Sequence, residues 1–171
     1  IELLNGIEGY KLIGDPETEI RSIAYDTRKI EPGALFVAFK GQSLDGHAFI
    51  RDAVQKGAAA VLGEKLDDEF IGVPSIRLAD SRRALSLLAQ RFFNHPFKGI
   101  DLVGITGTNG KTTTSFLLES IVLRAGARPG VIGTINYRYA GRTYPASVTT
   151  PESLDLIRLA SEMAHAGTTH I

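Results

Sequence analysis

The sequence predicts an α/β fold, in which a small N-terminal α/β domain precedes the truncated beginning of a second, parallel-sheet domain. Short apolar runs alternate with amphipathic helical stretches along the chain, which is typical of strands that pair in parallel. A glycine-rich segment, residues 104–110, joins one apolar run to one helical stretch. Residues 94–99 carry proline and glycine between two complete α/β patterns, so we expect one domain over residues 1–97 and another over residues 98–171.

Strands and helices alternate in the predicted N-terminal domain. Each strand is a short apolar run bounded by turn residues such as Glu31-Pro32-Gly33. Apolar residues recur on one face of two helical stretches, which end at Gly57 and before Pro96. Asp80 or Ser81 can cap the second of these helices. The predicted strands cover residues 20–25, 34–39, 58–62 and 74–78.

The second domain opens with a predicted strand over residues 100–106 and a helix over residues 112–125. That helix is apolar around most of its circumference, so we expect it to be buried against a sheet. A strand at residues 131–135, a hairpin or loop tip at Ala140-Gly141 and a helix at residues 153–166 follow. Another strand begins at Thr168, and a β-α-β unit cut at that point indicates a fragment of a larger protein.

Composition excludes several classes of function. Among the 171 residues, Lys plus Arg and Asp plus Glu both number 19, which disfavours broad binding to nucleic acid or an anionic membrane. The sequence has no cysteine, and its four histidines lack metal-ligand spacing, so we expect these to be surface or packing residues. The sequence shows no signal peptide and no stretch long enough to cross a membrane, which predicts a cytoplasmic protein.

The glycine-rich segment has the chemistry of a phosphate-binding loop. A loop between a strand and a helix directs the free N–H groups and positive dipole end of that helix toward an anion. Glycines let the backbone approach phosphate oxygens, Lys111 supplies a positive charge, and the Thr112 hydroxyl can ligate Mg²⁺. Ile105 stands where the general consensus has its first glycine, but the Gly107-x-x-Gly110-Lys111-Thr112 core remains. Kinases, GTPases and motor ATPases share such loops, so the loop alone leaves the reaction open.

Four separated motifs resemble the Mur ligase family. Residues 107–114 look like the ATP loop of these enzymes, of folylpolyglutamate synthases and of cyanophycin synthetases. Residues 26–28, 32–38, Gly41 and 45–47 resemble the small N-terminal domain of the two Mur ligases that add the third residue and the terminal dipeptide to the peptidoglycan stem. Residues 130–134, followed by Thr149-Thr150-Pro151, resemble the ligase that adds the third residue.

The resemblance implies an ATP- and Mg²⁺-dependent ligase of peptidoglycan precursor synthesis. Its substrates would be UDP-N-acetylmuramoyl-L-alanyl-D-glutamate and a diamino acid, either meso-diaminopimelate or L-lysine, joined through an acyl phosphate. The N-terminal domain would bind uridine diphosphate, and the truncated second domain would bind ATP. We expect a monomer whose 171 residues alone do not form the amide bond. The alternatives are another nucleotide-dependent enzyme with a phosphate loop, or the dipeptide-adding Mur ligase.

Residue roles follow by matching positions. The resemblance assigns catalysis to Lys111 and a metal ligand to Thr112. Val148 replaces an asparagine found in some members, and Thr27 replaces a common serine. The predicted ATP-binding residues are Gly107, Thr108, Asn109, Gly110, Lys111, Thr112 and Thr113, and the predicted substrate-binding residues are Tyr25, Thr27, Gln42, Ser43, Leu44, Thr149 and Thr150.

Structural interpretations of the same residues remain open. Asp26 and Arg28 also fit an ordinary exposed turn pair, and Asp45-Gly46 fits a turn at the start of a helix. Thr149-Thr150-Pro151 fits a helix entry, with threonine as the cap and proline in the first turn. A helix N-terminus also suits an anionic substrate, so the structural and functional interpretations of this last motif are compatible.

Overall fold

The computed structural model describes residues 2–41, 43–67, 71–146 and 150–171. It divides the chain into two compact units, Ile1–Ala89 and Gln90–Ile171. The division falls within a helix that both units share, close to the predicted boundary after residue 97, which stays a prediction. The mixed α/β fold class is confirmed.

The first unit is built on a five-stranded sheet with the strand order β1-β5-β4-β3-β2. Four of the strands run parallel, and β1 pairs antiparallel with β5 at one edge. The strands are β1 (Lys11–Ile13), β2 (Ser22–Ala24), β3 (Ala34–Val37), β4 (Ala58–Gly63) and β5 (Ser75–Arg77). The helices are α1 (Ile50–Gln55), which continues the 3-10 turn Gly46–Phe49, and α2 (Ser81–Phe92).

The core of the first unit lies on both faces of β3. All four residues of β3 are at most 1% exposed, as expected for the central strand of a parallel sheet covered on both sides. Phe36 belongs to a buried cluster with residues of α1 and β4. The periodicity predicted for α2 is confirmed, because its buried residues are Ser81, Ala84, Leu85, Leu88 and Ala89. Each fully buried leucine or phenylalanine contributes about 1.5–3 kcal/mol of hydrophobic free energy.

The second unit combines two helices with a small antiparallel sheet. The helices are α3 (Lys111–Arg124) and α4 (Ser153–His165), and the sheet has the order β6-β7-β8. Its strands are β6 (Val131–Ile132), β7 (Asn136–Tyr139) and β8 (Arg142–Pro145). The predicted tip Ala140-Gly141 is a two-residue hairpin turn with φ of 50° and 71°, both in the left-handed region that this hairpin turn requires.

The strand predicted over residues 100–106 is wrong in its extent. Parallel bridges join Asp101 and Pro129 to His170, and the Val103 N–H donates to the Ile171 carbonyl at 2.8 Å. The pairing therefore stops at the last residue of the sequence, and residues 102–106 form no regular strand. Parallel pairing in this unit is limited to these bridges, as far as the described residues show.

The predicted burial of the helix after the glycine-rich loop is also wrong. No residue of α3 is buried, and Leu117 and Ile121 are each 61% exposed. The reason is physical: an apolar helix face is buried only if another element packs on it, and no sheet covers this face within the described part of the chain. By contrast α4 buries Leu154, Ile157, Ala160, Ser161 and Met163. Among the described residues no helix is long and apolar enough to span a bilayer.

Candidate functional site

Each of the two units contains one group of the predicted site residues. In the first unit they follow the carboxyl ends of β2 and β3, which are neighbouring parallel strands. This edge of an open α/β sheet is where ligands bind most often, because the loops after the strands are free to present side chains.

Tyr25 comes directly after β2, and its ring centroid lies 5.9 Å from that of Phe39, which follows β3. The Arg82 guanidinium, in the first turn of α2, lies 5.7 Å from the centroid of the Phe39 ring. The strand ends therefore bring an aromatic pair and a cation together. Neither Phe39 nor Arg82 was predicted as a site residue. A cation in the first turn of a helix opposes the helix dipole, and that is the signal from which Arg82 could have been found.

Thr27 opens a 3-10 turn that Asp26 caps by accepting the N–H of Arg28. The carboxylate of Asp52 accepts hydrogen bonds from Lys56 and from the Thr27 side chain, and these two bonds, the one from Lys56 first, lower the pKa of Asp52. Asp26 and Arg28 make a bidentate ion pair, with Nη2 to Oδ2 at 2.7 Å and Nε to Oδ1 at 2.9 Å. This hydrogen bonding holds the pKa of Asp26 below its ordinary value. The two residues thus form the exposed turn pair that the sequence also allowed.

His47 is a packing residue, as the sequence indicated. Its ring is 8% exposed, and Nε2 accepts the N–H groups of Glu64 at 3.0 Å and of Lys65 at 3.2 Å. Since Nε2 accepts, Nδ1 carries the proton and donates to Asp45, 2.6 Å away. Bonds from His47 and then from Lys65 hold the pKa of Asp45 far below its ordinary value. Glu64 in turn accepts the N–H of Ser81, so the cluster ties the loop after β3 to the start of α2.

The predicted substrate-binding residues Gln42, Ser43 and Leu44 are described only in part. Gln42 lies outside the described residues. Ser43 and Leu44 lie in a tight turn in which the Gly41 N–H donates to the Leu44 carbonyl at 2.8 Å. The Leu44 side chain is 68% exposed, so it is available to a ligand.

In the second unit the glycine-rich loop leads into the first turn of α3. Gly107 has φ of 150° and Gly110 has φ of 80°, conformations that side chains rarely adopt. A Cβ at Gly110 would meet nothing within 4 Å, so glycine is needed there for its backbone and not for space. The Lys111 ammonium donates to the Gly107 carbonyl at 2.5 Å across the loop. Lys111 and the loop from Gly107 to Gly110 therefore form one compact turn at the N-terminal, positive end of α3.

A cavity of about 690 Å³ opens beside this loop, entirely within the second unit. Gly107, Lys111 and Thr112 line it, and so do Thr150 and Pro151, which precede α4. The structure thus brings part of the predicted nucleotide loop and part of the predicted substrate segment to one cavity. Of the other predicted residues, Thr108, Asn109, Gly110 and Thr113 are exposed near the cavity without lining it, and Thr149 lies outside the described residues.

The same cavity holds an ion pair that was not predicted from the sequence. Arg138 of β7 donates to Glu119 of α3 through Nε at 2.9 Å and through Nη2 at 2.7 Å. The guanidinium also donates to Asn136 at 2.5 Å and lies 3.9 Å from the centroid of the Phe116 ring. The two charged side chains are 12% and 19% exposed. Nineteen positions separate Arg138 from Glu119 in sequence, so no local pattern predicts their contact.

These features define an α/β protein with a glycine-rich turn at the start of a helix. The profile "Mur ligase family, catalytic domain" matches residues 19–93, and the profile "Mur ligase middle domain" matches residues 105–171. The chain belongs to the Mur ligase family.

Two curated relatives share one name. A UDP-N-acetylmuramoyl-L-alanyl-D-glutamate--2,6-diaminopimelate ligase of Solibacter usitatus is 46% identical over 91% of this chain and 31% of its own length. The ligase of the same name from Caldanaerobacter subterraneus is 37% identical over 100% of this chain and 35% of its own length. The chain therefore spans about a third of the length of the curated relatives it matches.

Solved structures give the same family. A UDP-N-acetylmuramoyl-L-alanyl-D-glutamate--2,6-diaminopimelate ligase superposes with a TM-score of 0.74 at 26% identity, over 88% of this chain and 31% of that one. A MurF ligase of Thermotoga maritima in complex with ADP superposes with a TM-score of 0.53 at 26% identity, over 82% of this chain and 29% of that one. The first of these two folds is the better match to the chain.

Proposed function

We propose that this chain is the nucleotide-sugar-binding part and the beginning of the ATP-binding part of a Mur ligase. The full-length protein would add a diamino acid to UDP-N-acetylmuramoyl-L-alanyl-D-glutamate at the expense of ATP. The names of its relatives support this reaction, and diaminopimelate is the amino acid that those names print.

One observation carries the proposal. The loop that ends in Lys111 and the segment that contains Thr150 line the same cavity. A ligase of this kind must hold a triphosphate and a carboxylate side by side, so that a phosphoryl group passes from one to the other. A shared cavity with a cation and free helix N–H groups on one wall suits that task.

In this proposal Lys111 exchanges its bond to the Gly107 carbonyl for bonds to the terminal phosphates of ATP. The loop amides of residues 107–113 bind the remaining phosphate oxygens. Thr112 lines the cavity and offers a hydroxyl oxygen, the kind of ligand that Mg²⁺ prefers. The described residues contain no group of three or more acidic or histidine side chains that could hold a metal ion, so this part of the protein would offer the ion the Thr112 hydroxyl beside phosphate oxygens and water. Bound Mg²⁺ would neutralise phosphate charge.

The chemistry then proceeds in two steps. A carboxylate oxygen of the D-glutamyl residue attacks the terminal phosphorus of ATP, which releases ADP and forms an acyl phosphate. The amine of the diamino acid attacks the acyl carbon, loses a proton and expels inorganic phosphate, which leaves an amide. Lys111 stabilises the negative charge on the transferred phosphoryl group, and Thr150 orients the muramoyl peptide through its hydroxyl.

The uridine end of the substrate would bind the first unit. Tyr25 and Thr27 at the end of β2 offer a ring and a hydroxyl, and Arg82 adds a cation beside Phe39. Gln42, Ser43 and Leu44 would close the site from the loop after β3.

The test uses the full-length protein that contains this chain. ADP release should require the muramoyl dipeptide and a diamino acid together, and mass spectrometry should find the amide product. Phosphate release that is independent of either substrate would count against the proposal. Thermal-shift measurements with a UDP-sugar, ATP and GTP test the two sites separately. A Mur ligase should show a higher melting temperature with the UDP-sugar and with ATP, whereas another nucleotide-dependent enzyme needs no site for a UDP-sugar.

The dipeptide-adding Mur ligase is the second candidate. MurF structures superpose with TM-scores of 0.53 to 0.56 over 82% to 91% of the chain. Two substrate pairs decide between the candidates. The first candidate should join a diamino acid to the muramoyl dipeptide, and the second should join D-alanyl-D-alanine to the muramoyl tripeptide.

A further inference from the structure

Strand β7, of four residues, connects two helices of the second unit. Successive side chains of a strand point to opposite faces, so Asn136 and Arg138 share one face and Tyr139 lies on the other. Arg138 binds Glu119 of α3, and the Tyr139 hydroxyl donates to Glu162 of α4 at 3.0 Å. The strand is therefore hydrogen-bonded to a different helix on each face.

The two helices begin at the two ligand-binding segments. Helix α3 starts at Lys111, directly after the glycine loop, and α4 starts at Ser153, three residues after Thr150. Glu119 lies two helical turns after Thr112, and both residues line the cavity. Any shift of β7 against α3 would therefore change how the nucleotide loop and the substrate segment face each other.

The Arg138–Glu119 contact fixes the relative position of α3 and β7 more than it adds stability. A buried ion pair adds little net stability over an apolar pair of the same size, because both charges lose their hydration. A bidentate guanidinium–carboxylate pair does fix distance and orientation, and here the Phe116 ring and Asn136 hold the guanidinium on two further sides. On the other face, stacking of Tyr139 on Tyr144, with centroids 5.1 Å apart, fixes the second link. Burial first, then the hydrogen bond with Tyr144 and the one that Tyr139 donates to Glu162, raise the pKa of the Tyr139 phenol, so it stays a neutral donor.

We propose that Glu119 and Arg138 are positioning residues, which hold α3 and β7 in register so that ATP on the loop and the muramoyl carboxylate near Thr150 meet in line. This inference rests on the proposed function. The carboxylate of Glu119 and the guanidinium of Arg138 are bonded to each other in the cavity wall, so we expect their loss to slow the reaction more than it weakens the binding of either substrate. A misplacement of about 1 Å between reacting groups can lower a rate by roughly 100-fold.

The kinetic test compares Glu119→Gln, Arg138→Gln and Arg138→Lys in the full-length protein. We expect kcat to fall roughly 10- to 100-fold in the two glutamine variants, with KM for ATP and for the muramoyl dipeptide within about threefold of the wild type. Arg138→Lys keeps the charge but loses the two-pronged hydrogen bonding of the guanidinium, so its kcat should lie between those of the wild type and Arg138→Gln. Arg142→Gln, an exposed arginine on the neighbouring strand β8, is the matched control and should leave kcat unchanged.

Two outcomes would overturn the inference. A lower melting temperature with unchanged kcat would make the pair a stabilising contact only, and a rise in KM for ATP alone would make it part of the nucleotide site. If a single variant fails to fold, the double variant Glu119→Gln, Arg138→Gln removes both charges together and is measured in the same way.

Hydrogen exchange separates this inference from the proposed function. In the wild type, Mg·ATP should slow exchange at residues 107–113 and also at residues 150–156. In Glu119→Gln, protection should remain at the loop and be lost at the second segment. Equal protection at both segments in wild type and variant would refute the positioning role, whereas absence of protection at the wild-type loop would refute the proposed function and the inference with it.

Discussion

Replacing Lys111 by methionine should separate ligand binding from folding. The Lys111 ammonium makes one hydrogen bond, to the Gly107 carbonyl of its own exposed loop. An exposed contact of this kind contributes little, so the free energy of unfolding should change by less than about 0.5 kcal/mol. Methionine keeps most of the aliphatic length, so the change removes the charge and little else.

The effect on nucleotide binding should be much larger. A charge-assisted hydrogen bond to phosphate contributes about 1.5–3 kcal/mol, which corresponds to roughly a 10- to 100-fold loss of Mg·ATP affinity. Turnover should fall further than affinity, because negative charge on the phosphoryl group grows in the transition state. Isothermal titration calorimetry on the full-length protein measures the first effect, and ADP release at saturating substrates measures the second.

Lys98→Met is the matched control. Lys98 is an exposed lysine of the same unit that does not line the cavity, so its removal lowers the net charge equally. The reasoning fails if Lys98→Met weakens ATP binding as much as Lys111→Met does. It also fails if Lys111→Met lowers the melting temperature in proportion to the lost affinity, because the loop would then depend on Lys111 for its fold.

Three further predictions concern the folded chain. The hydrogen bonds that lower the pKa of Asp45 stabilise the fold at pH values above its ordinary pKa of 3.8, and this stabilisation is lost as the pH falls below that value. Asp45→Asn should therefore destabilise the protein at pH 7 and flatten the acid branch of a denaturation series measured between pH 7 and pH 2. Gly46→Ala would place a Cβ 2.9 Å from the Phe39 carbonyl oxygen, so chemical denaturation should show a loss of about 1–3 kcal/mol, and an unchanged midpoint would contradict that contact. Met163→Ala empties a fully buried site on α4 and should cost about 2–5 kcal/mol by the same measurement, with exposed Glu162→Ala costing less.

Local patterns in the sequence predict most of the first unit. The run of residues 58–62 between Gly57 and a charged segment predicts β4, and the spacing of Ala84, Leu85 and Leu88 predicts the buried face of α2. The three-residue strand β1 was missed, because Lys11–Ile13 is too short for alternation to be visible. The bonds of His47 to Glu64 and Lys65 could not be predicted, because they depend on how the loop after β3 meets the end of β4.

Burial in the second unit could not be predicted from the helix alone. The bounds of α3 follow from Gly110 and Gly126, and the structure confirms them within a residue or two. Whether its apolar residues are covered depends on elements distant in sequence, and periodicity gives no information about these. Likewise the motif of residues 107–112 predicts a loop, while the neighbours Glu119 and Arg138 become visible only when α3 and β7 are seen together.

The two units therefore call for different experiments. In the first unit β3 is buried on both faces, so the uridine-binding prediction for Tyr25 and Thr27 can be tested by binding alone. In the second unit Leu117 and Ile121 of α3 stay exposed, and exposed apolar area forgoes about 25 cal/mol for each Å² that could be buried. Within the described residues, nothing packs on that face of the helix that carries Lys111. Because the precision of phosphoryl transfer depends on the position of that helix, and because we expect no amide bond formation from these 171 residues alone, kinetic tests belong in the full-length protein.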